Sequence, residues 1–488
     1  MSFRFYHLKH RLEGAPHAIF GLLLLTCISC SENETKERPA DAAPNIIYIL
    51  ADDLGYGDLG AYGQKLIETP NLDKLASEGM LFTQHYASAP VCAPSRYMLL
   101  TGKHSGHAYI RGNDEWRERG EVWDYRAMAK DSSLEGQRPL PPGEVLLPQM
   151  LKTVGYRTGL FGKWGLGAPH TESIPTKMGF DTFYGYNCQR QAHTYYPLHL
   201  YENEHRVHLN NDTIPPHSGF GLTGGEKDYD FFNQEDYAPE LMFDAMMQFI
   251  AEPKPEPFFV YWATPIPHVP LQAPERWISY YHKKFGAEPP FESGDGTGYF
   301  PQEFPRAAYA AMVSYLDEQV GQLVKQLKDN GLYENTLIMF TSDNGPSYAG
   351  GADPEWFGSA GPFRGEYGRG KGFVYEGGIR VPLIASWPAK INPGSRTNHV
   401  SAQYDMVATL SELTGFELAN SGDGISFLPT LLGNTNQEAH QFLIWAYPEY
   451  GGQIALRNAE WKYIQRGLND PDDNPEPELY NLLSDKEE

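Results

Sequence analysis

Two apolar runs, residues 45–50 and 336–341, each lead into oxygen-bearing side chains: Asp52-Asp53 after the first and Asp343-Asn344 after the second. Runs this short and this continuously apolar read as strands buried on both faces. Similar runs at 156–164, 258–262 and 381–387 alternate with helical patterns at 70–78, 146–154, 239–251, 306–329 and 404–413. Pro70 stands at the start of the first helical pattern and Gly79 follows its end, while Asn330-Gly331 closes the long fourth one. Strands alternating with helices predict an α/β fold, a large central mostly parallel sheet sandwiched by helices. Open sheets of this kind bind ligands beyond the carboxyl ends of their strands, which puts the two acidic pairs where a site belongs. The pattern changes after about residue 433. Short apolar runs at 442–446, 453–457 and 461–465, joined by tight connections, predict a small C-terminal antiparallel sheet subdomain over 433–488, beside a main domain over 44–432.

The N-terminus reads as an export signal. Arg4, Lys9 and Arg11 precede an apolar run over 18–28 that is too short to span a bilayer comfortably. Cys27 and Cys30 follow, then polar residues 31–34. This resembles a bacterial lipoprotein signal over 1–29, with Cys30 as the acylated residue, Cys27 as the alternative, and 30–43 as a polar tether. The expected location is the periplasm or outer membrane, held to the membrane by the lipid alone. An ordinary signal peptide with incidental cysteines is the other reading.

Composition narrows the function classes. The chain has 488 residues and four cysteines, at 27, 30, 92 and 188, far too few for a disulfide scaffold. The formal net charge is -23, from 39 basic and 62 acidic residues, which opposes nucleic-acid binding. With 41% hydrophobic and 21% charged residues, the chain is not globally disordered.

Cys92-Ala93-Pro94-Ser95-Arg96, followed by Leu99-Leu100-Thr101-Gly102-Lys103, resembles the signature of the type I, formylglycine-dependent sulfatases, Cys-x-Pro-Ser-Arg and then Leu-Thr-Gly. Other elements occur in the family's order across nearly all of the chain after the leader. The resemblance implies an alkaline-phosphatase-like fold and hydrolysis of sulfate monoesters on carbohydrates. It also implies a maturation enzyme that oxidises Cys92 to formylglycine. The hydrate of that aldehyde has two hydroxyls: one attacks sulfur, and the other then loses a proton and expels sulfate, so one displacement becomes two easier steps. A bare Cys92 would otherwise read as a small buried thiol, the reading given to Cys188.

Asp52, Asp53, Asp343 and Asn344 supply hard oxygens suited to Ca²⁺ or Mg²⁺, although taken alone such residues are common in turns. The resemblance implies Ca²⁺, with the group derived from Cys92 as a further ligand. It also implies that Arg96 pairs with the hydrate and nearby anions, that Lys103 supports it, and that Lys163 and Lys371 bind sulfate from glycine-rich segments. His268, between Pro267 and Val269-Pro270, matches the histidine on the ester oxygen and is assigned as general acid; by itself it would read as a turn residue.

Two departures stand out. The family's Gly-Lys-Trp-His-Leu-Gly is here Gly162-Lys163-Trp164-Gly165-Leu166-Gly167, so a histidine is missing at Gly165. His193 is the favoured replacement, ahead of His170 or a water. Residues 366–370 lengthen the loop between Arg364 and Lys371. Arg190, His193, Arg364, His107 and Arg111 are candidates for sugar or sulfate recognition, with loop scaffolding as the equal alternative. Galactose- or N-acetylgalactosamine-containing glycans are the first substrate class, by resemblance over 187–193. The alternatives are a phosphonate or phosphodiester hydrolase of the same chemistry, and a glycan-binding lipoprotein that is never matured. Residues 478–482 resemble a late family element that relatives usually follow with more sequence, which leaves two readings: a fragment, or a clipped C-terminal subdomain.

Overall fold

The computed structural model describes residues 43–293, 298–418, 422–470 and 475–488. The leader, Cys27, Cys30 and all but the end of the tether lie outside the described residues. No helix among the described residues is long and apolar enough to cross a membrane.

The strands in chain order are β1 Asn45–Ala51, β2 Met80–Tyr86, β3 Arg157–Lys163, β4 Thr182–Tyr186, β5 His199–Glu202, β6 His205–His208, β7 Phe258–Ala263, β8 Thr336–Ser342, β9 Arg380–Ser386, β10 Ser395–Thr397 and β11 Ser401–Ala402. They form one 11-stranded sheet in the order β10-β2-β9-β8-β1-β7-β3-β4-β5-β6, with β11 also on β2. The centre is parallel: β1 pairs in parallel with β7 and β8, and β3 with β4 and β7. β9 runs antiparallel to both β8 and β2, and the hairpin β5-β6 continues antiparallel from β4. The expected α/β sheet is therefore present, mostly parallel with antiparallel additions.

β1 shows why its sequence is apolar throughout. Ile47, Ile49 and Ala51 join the core on one face, with the helices Ala238–Ala251 and Pro305–Asp329. Ile46, Tyr48 and Leu50 join the core on the other, with the helices Cys92–Thr101 and Leu147–Thr153. Alternate residues of a strand point to opposite faces, so a strand covered on both sides must be apolar at every position.

The C-terminal sheet is antiparallel: β12 Leu443–Tyr447, β13 Gln453–Asn458, β14 Trp461–Arg466 and β15 Glu478–Asn481, in that order. Burial alternates along β13, as expected for a strand covered on one face. Trp445, Ala455 and Ile464 pack with Tyr86, Tyr375 and Ile379, and the Trp445 Nε1 donates to the Ala87 carbonyl at 2.9 Å. Beneath this sheet the buried Lys462 Nζ lies 3.0 Å from Glu376 Oε1 and 2.9 Å from Glu488 Oε1. A buried ammonium needs such partners.

Candidate active site

β1 and β8 are parallel and in register, with Ala51 beside Ser342. Asp52 and Asp53 therefore leave the sheet next to Asp343 and Asn344, and all four are essentially fully buried. The Asp343 backbone N–H donates to the Ala51 carbonyl at 3.0 Å, and the Asp53 N–H donates to Asp343 Oδ1 at 3.1 Å. Asp53 turns the chain with φ +66, a conformation that Asp tolerates better than most residues.

Cys92 opens the helix Cys92–Thr101, every residue of which is buried. Pro94 sits in the first turn, where a missing N–H costs nothing, and Gly102 at φ +72 ends the helix with its N–H on the Met98 carbonyl. Gln403 ties this helix to β8: it accepts from the Ser95 hydroxyl and donates from Nε2 to the Ser342 carbonyl at 2.6 Å. The Asn113 Oδ1 accepts the Ala93 N–H at 3.1 Å. One ligand atom each from Asp52, Asp53, Cys92 and His268 lies within 4.8 Å of the others.

Three cations reach into this cluster. Lys163, at the end of β3, donates from Nζ to Asp52 Oδ2 at 2.6 Å. Lys371 donates to Asp53 Oδ2 at 2.7 Å. Arg96 donates from Nε at 3.0 Å and Nη2 at 2.8 Å to Asp343 Oδ2, and its Nη2 lies 3.2 Å from Asp52 Oδ2. Burial by itself would raise the Asp52 carboxyl, but Lys163 and Arg96 outweigh it and hold Asp52 below the usual carboxylate range. Burial and then the Asp52 charge push Asp343 up to about 7. Burial pushes the Cys92 thiol up to about 12, so unmodified Cys92 is a poor nucleophile.

The His268 Nδ1 faces the Val269 carbonyl, which places the ring proton there and turns Nε2 towards Asp53 Oδ2 at 3.7 Å. Burial, and then Lys371, lower its pKa to about 4, so the ring is neutral near pH 7. His193 stacks on it, with ring centroids 5.1 Å apart and an interplanar angle of 11°, and its Nδ1 lies 2.7 Å from His217 Nε2. Tyr299 packs edge-on against both His193 and His268. His217 and Tyr299 escaped the sequence reading, because each reaches the site from a long loop with no periodic signal.

The other candidates fall elsewhere. Lys103 pairs with Glu144 at 2.6 Å, at the far end of a ten-residue helix from Cys92. Such a helix is about 15 Å long, so Lys103 supports the scaffold and does not touch the reacting group. Arg190 is buried against Glu115 and the Leu134 carbonyl, a structural ion pair. Arg364 pairs with Glu366 and is half-exposed. His107 pairs with Asp423 at 2.8 Å and stacks on His104. His170 pairs with Ser132 at 2.7 Å. Gly165 has Gln189 as its neighbour: a Cβ there would lie 3.0 Å from Gln189 Oε1. His193 therefore serves the His268 side of the site, and Gln189 borders the position of the missing histidine. Arg111 donates to the carbonyls of Ala108 and Gly106 and forms no ion pair among the described residues. Cys188 is the expected buried thiol, packed with Met128 and Tyr125.

The oxygens also fit a divalent cation. Asp52 Oδ1 and Asn344 Oδ1 are buried without a hydrogen-bond partner among the described residues, beside the carboxylates of Asp53 and Asp343. Orphaned buried oxygens on such a donor set suit a hard ion that takes oxygen ligands.

Comparison with known proteins agrees with the geometry. The chain matches the Sulfatase family over residues 44–416, and the family of N-sulphoglucosamine sulphohydrolase C-terminal regions over 365–488. It is 32% identical to the N-acetylgalactosamine-6-sulfatase of Rattus norvegicus, over 80% of this chain and 66% of that protein. It is 33% identical to the arylsulfatase A of Bos taurus, over 87% of this chain and 75% of the relative. The solved structure of Ps i-CgsB in complex with k-i-k-neocarrahexaose superposes with a TM-score of 0.70 at 27% identity, covering 92% of this chain and 88% of that one. The chain thus spans about two thirds of the length of the N-acetylgalactosamine-6-sulfatases it matches. The Cys92 signature helix, set against the acidic ends of β1 and β8, lies inside the matched span, and the chain belongs to the sulfatase family.

Proposed function

We propose that this protein hydrolyses sulfate monoesters on exported or extracellular carbohydrates, with galactose- or N-acetylgalactosamine-containing chains as the substrate class. The observation that carries the reading is the charge balance around Cys92. Three carboxylates, Asp52, Asp53 and Asp343, face three cations, Arg96, Lys163 and Lys371. A divalent cation added to that set leaves a net positive pocket for an anionic ester inside a chain of formal charge -23.

Asp52, Asp53, Asp343 and Asn344 would hold the metal, Ca²⁺ by family resemblance, and bound there it supplies Lewis acidity towards oxygen. Formylglycine at position 92 supplies, as its hydrate, the nucleophilic hydroxyl that a thiol titrating near 12 cannot. The chain's own groups do the remaining work. Lys163 and Arg96 keep Asp52 ionised, and Lys163 and Lys371 present ammonium groups to sulfate oxygens, as charge-stabilising sites do. Val269 fixes the tautomer of His268 and His193 fixes its plane, so that Nε2 is the atom facing the ester. Anionic substrate favours protonation of that nitrogen, and the proton then passes to the leaving alcohol. Attachment to a bacterial membrane through a lipid on Cys30 or Cys27 belongs to the same proposal.

The test is mass spectrometry of the peptide around residue 92, in protein co-produced with a maturation enzyme, together with turnover of sugar sulfates, aryl sulfates and phosphodiesters. An aldehyde at residue 92 and preference for sugar sulfates support the proposal. Faster phosphodiester turnover, or an intact thiol in protein that binds glycans without releasing sulfate, would overturn it.

A further inference from the structure

Beside the catalytic cluster lies a cavity of about 240 Å³ that the reaction as described leaves unused. Ala93, the residue after Cys92, forms one wall, and Gly165, two residues after Lys163, forms another. Gly165 has no side chain and sits at φ +71, so nothing projects from it into the space. Tyr109, half-exposed, Arg111 and Arg138 line it as well, together with Asp114 and Gln137.

The two guanidinium groups differ. Arg138 is neutralised by Asp114 at 2.5 Å and Glu118 at 2.8 Å. Arg111 donates to the carbonyls of Ala108 and Gly106 and has no carboxylate partner among the described residues. Behind the Gly165 wall stands the buried Gln189, its Oε1 3.0 Å from where a Cβ on Gly165 would lie. A guanidinium without a carboxylate partner and an exposed aromatic ring together match a sugar that carries a negative group.

We propose that this cavity is a subsite for the sugar ring beside the scissile ester, and that Arg111 selects substrates carrying a second anionic group there, a carboxylate or a further sulfate. The inference rests on the proposed sulfatase reading for its placement beside the reacting ester. Tyr109 gives the ring a face to stack on.

The test uses full-length Cys92→Ser protein and calorimetry with three probes: N-acetylgalactosamine 6-sulfate, its 4,6-disulfate, and a uronosyl N-acetylgalactosamine 6-sulfate disaccharide. At least one doubly anionic probe binds tenfold or more tightly than the monosulfate, and which one does identifies sulfate or carboxylate as the second group. Arg111→Gln, added to Cys92→Ser, removes that difference, and Arg111→Lys restores part of it, with each variant's thermal midpoint measured to establish folding. Equal affinity for singly and doubly charged probes, no binding of any probe, or a preference that survives Arg111→Gln would overturn the proposal. Binding to Cys92→Ser protein needs no turnover, so failure of mature enzyme to release sulfate would remove the sulfatase reading without deciding the subsite.

Discussion

The Lys163 ammonium lies 2.6 Å from Asp52 Oδ2, with both side chains fully buried. Neither charge has water to fall back on. Lys163→Met should therefore cost more than activity. Removing one partner of a buried pair costs about 3–5 kcal/mol, because the other charge is left uncompensated. Arg96 shares Asp52, which places the loss at the lower end of that range. Urea denaturation of wild type and variant measures it; a change below about 1 kcal/mol, the size of a surface ion pair, would mean that Arg96 alone satisfies Asp52.

Cys92→Ala should leave the fold intact and abolish turnover. The side chain is small and makes no hydrogen bond on which the helix depends, whereas loss of a nucleophile typically costs about 10⁴-fold or more. Steady-state turnover of an aryl sulfate and the thermal midpoint are the paired readouts. Substantial turnover by Cys92→Ala would refute the nucleophile.

His268→Ala should divide substrates by their leaving group. A positioned general acid contributes about 10²–10⁴-fold, and the contribution matters most when the departing alcohol is a poor leaving group. The loss in kcat should thus be larger for sugar sulfates than for activated aryl sulfates. Equal losses would assign His268 to binding alone.

Metal removal should lower both stability and activity. Chelation leaves Asp52 Oδ1 and Asn344 Oδ1 without partners, and a ligand bound only by the folded state stabilises by about 2.7 kcal/mol at a hundredfold excess over its Kd. Adding Ca²⁺ to chelated protein should raise the thermal midpoint, and Asp343→Asn should blunt that rise. Full activity in metal-free protein would remove the metal from the reaction.

His85 should make the fold acid-sensitive independently of catalysis. It is fully buried on β2, with Nδ1 2.9 Å from the Ser401 hydroxyl and Nε2 without a hydrogen-bond partner among the described residues. Burial, and then His399, lower its pKa from 6.5 to about 3. Between those values the unfolded chain binds a proton that the folded chain refuses. Stability is therefore intact above about pH 6.5 and lost progressively as pH falls towards 3, by up to about 1.4 kcal/mol per pH unit for one proton. His85→Gln should flatten that dependence in denaturation measured at pH 7 and pH 5, and an unchanged slope would assign the acid sensitivity to other groups.

The centre of the sheet was legible in sequence because burial on both faces leaves continuous apolar runs, as in β1, β7 and β8. β2 was not, since Thr83 and Gln84 interrupt its apolar residues at a register shift. The hairpin β5-β6 was missed because His205 and His208 face solvent at the sheet edge. The buried cluster around Cys92 was legible where a residue sits within a local signature: Cys92, Arg96, Lys163, His268 and Lys371. Proximity in sequence misled at Lys103, because a helix separates its two ends in space. Gln189, His217 and Tyr299 were invisible for the opposite reason: only tertiary folding brings them to Gly165 and His193.

The in-register pairing of β1 with β8 places Asp52 and Asp53 beside Asp343 and Asn344 without help from any loop. The charged cluster is thereby anchored to the buried centre of the sheet, while Tyr109 and Arg111 lie on a loop outside it. A chain built this way can change its diet without relearning its chemistry, and swaps of residues 105–140 or 187–193 are where altered sugar preference should first be sought.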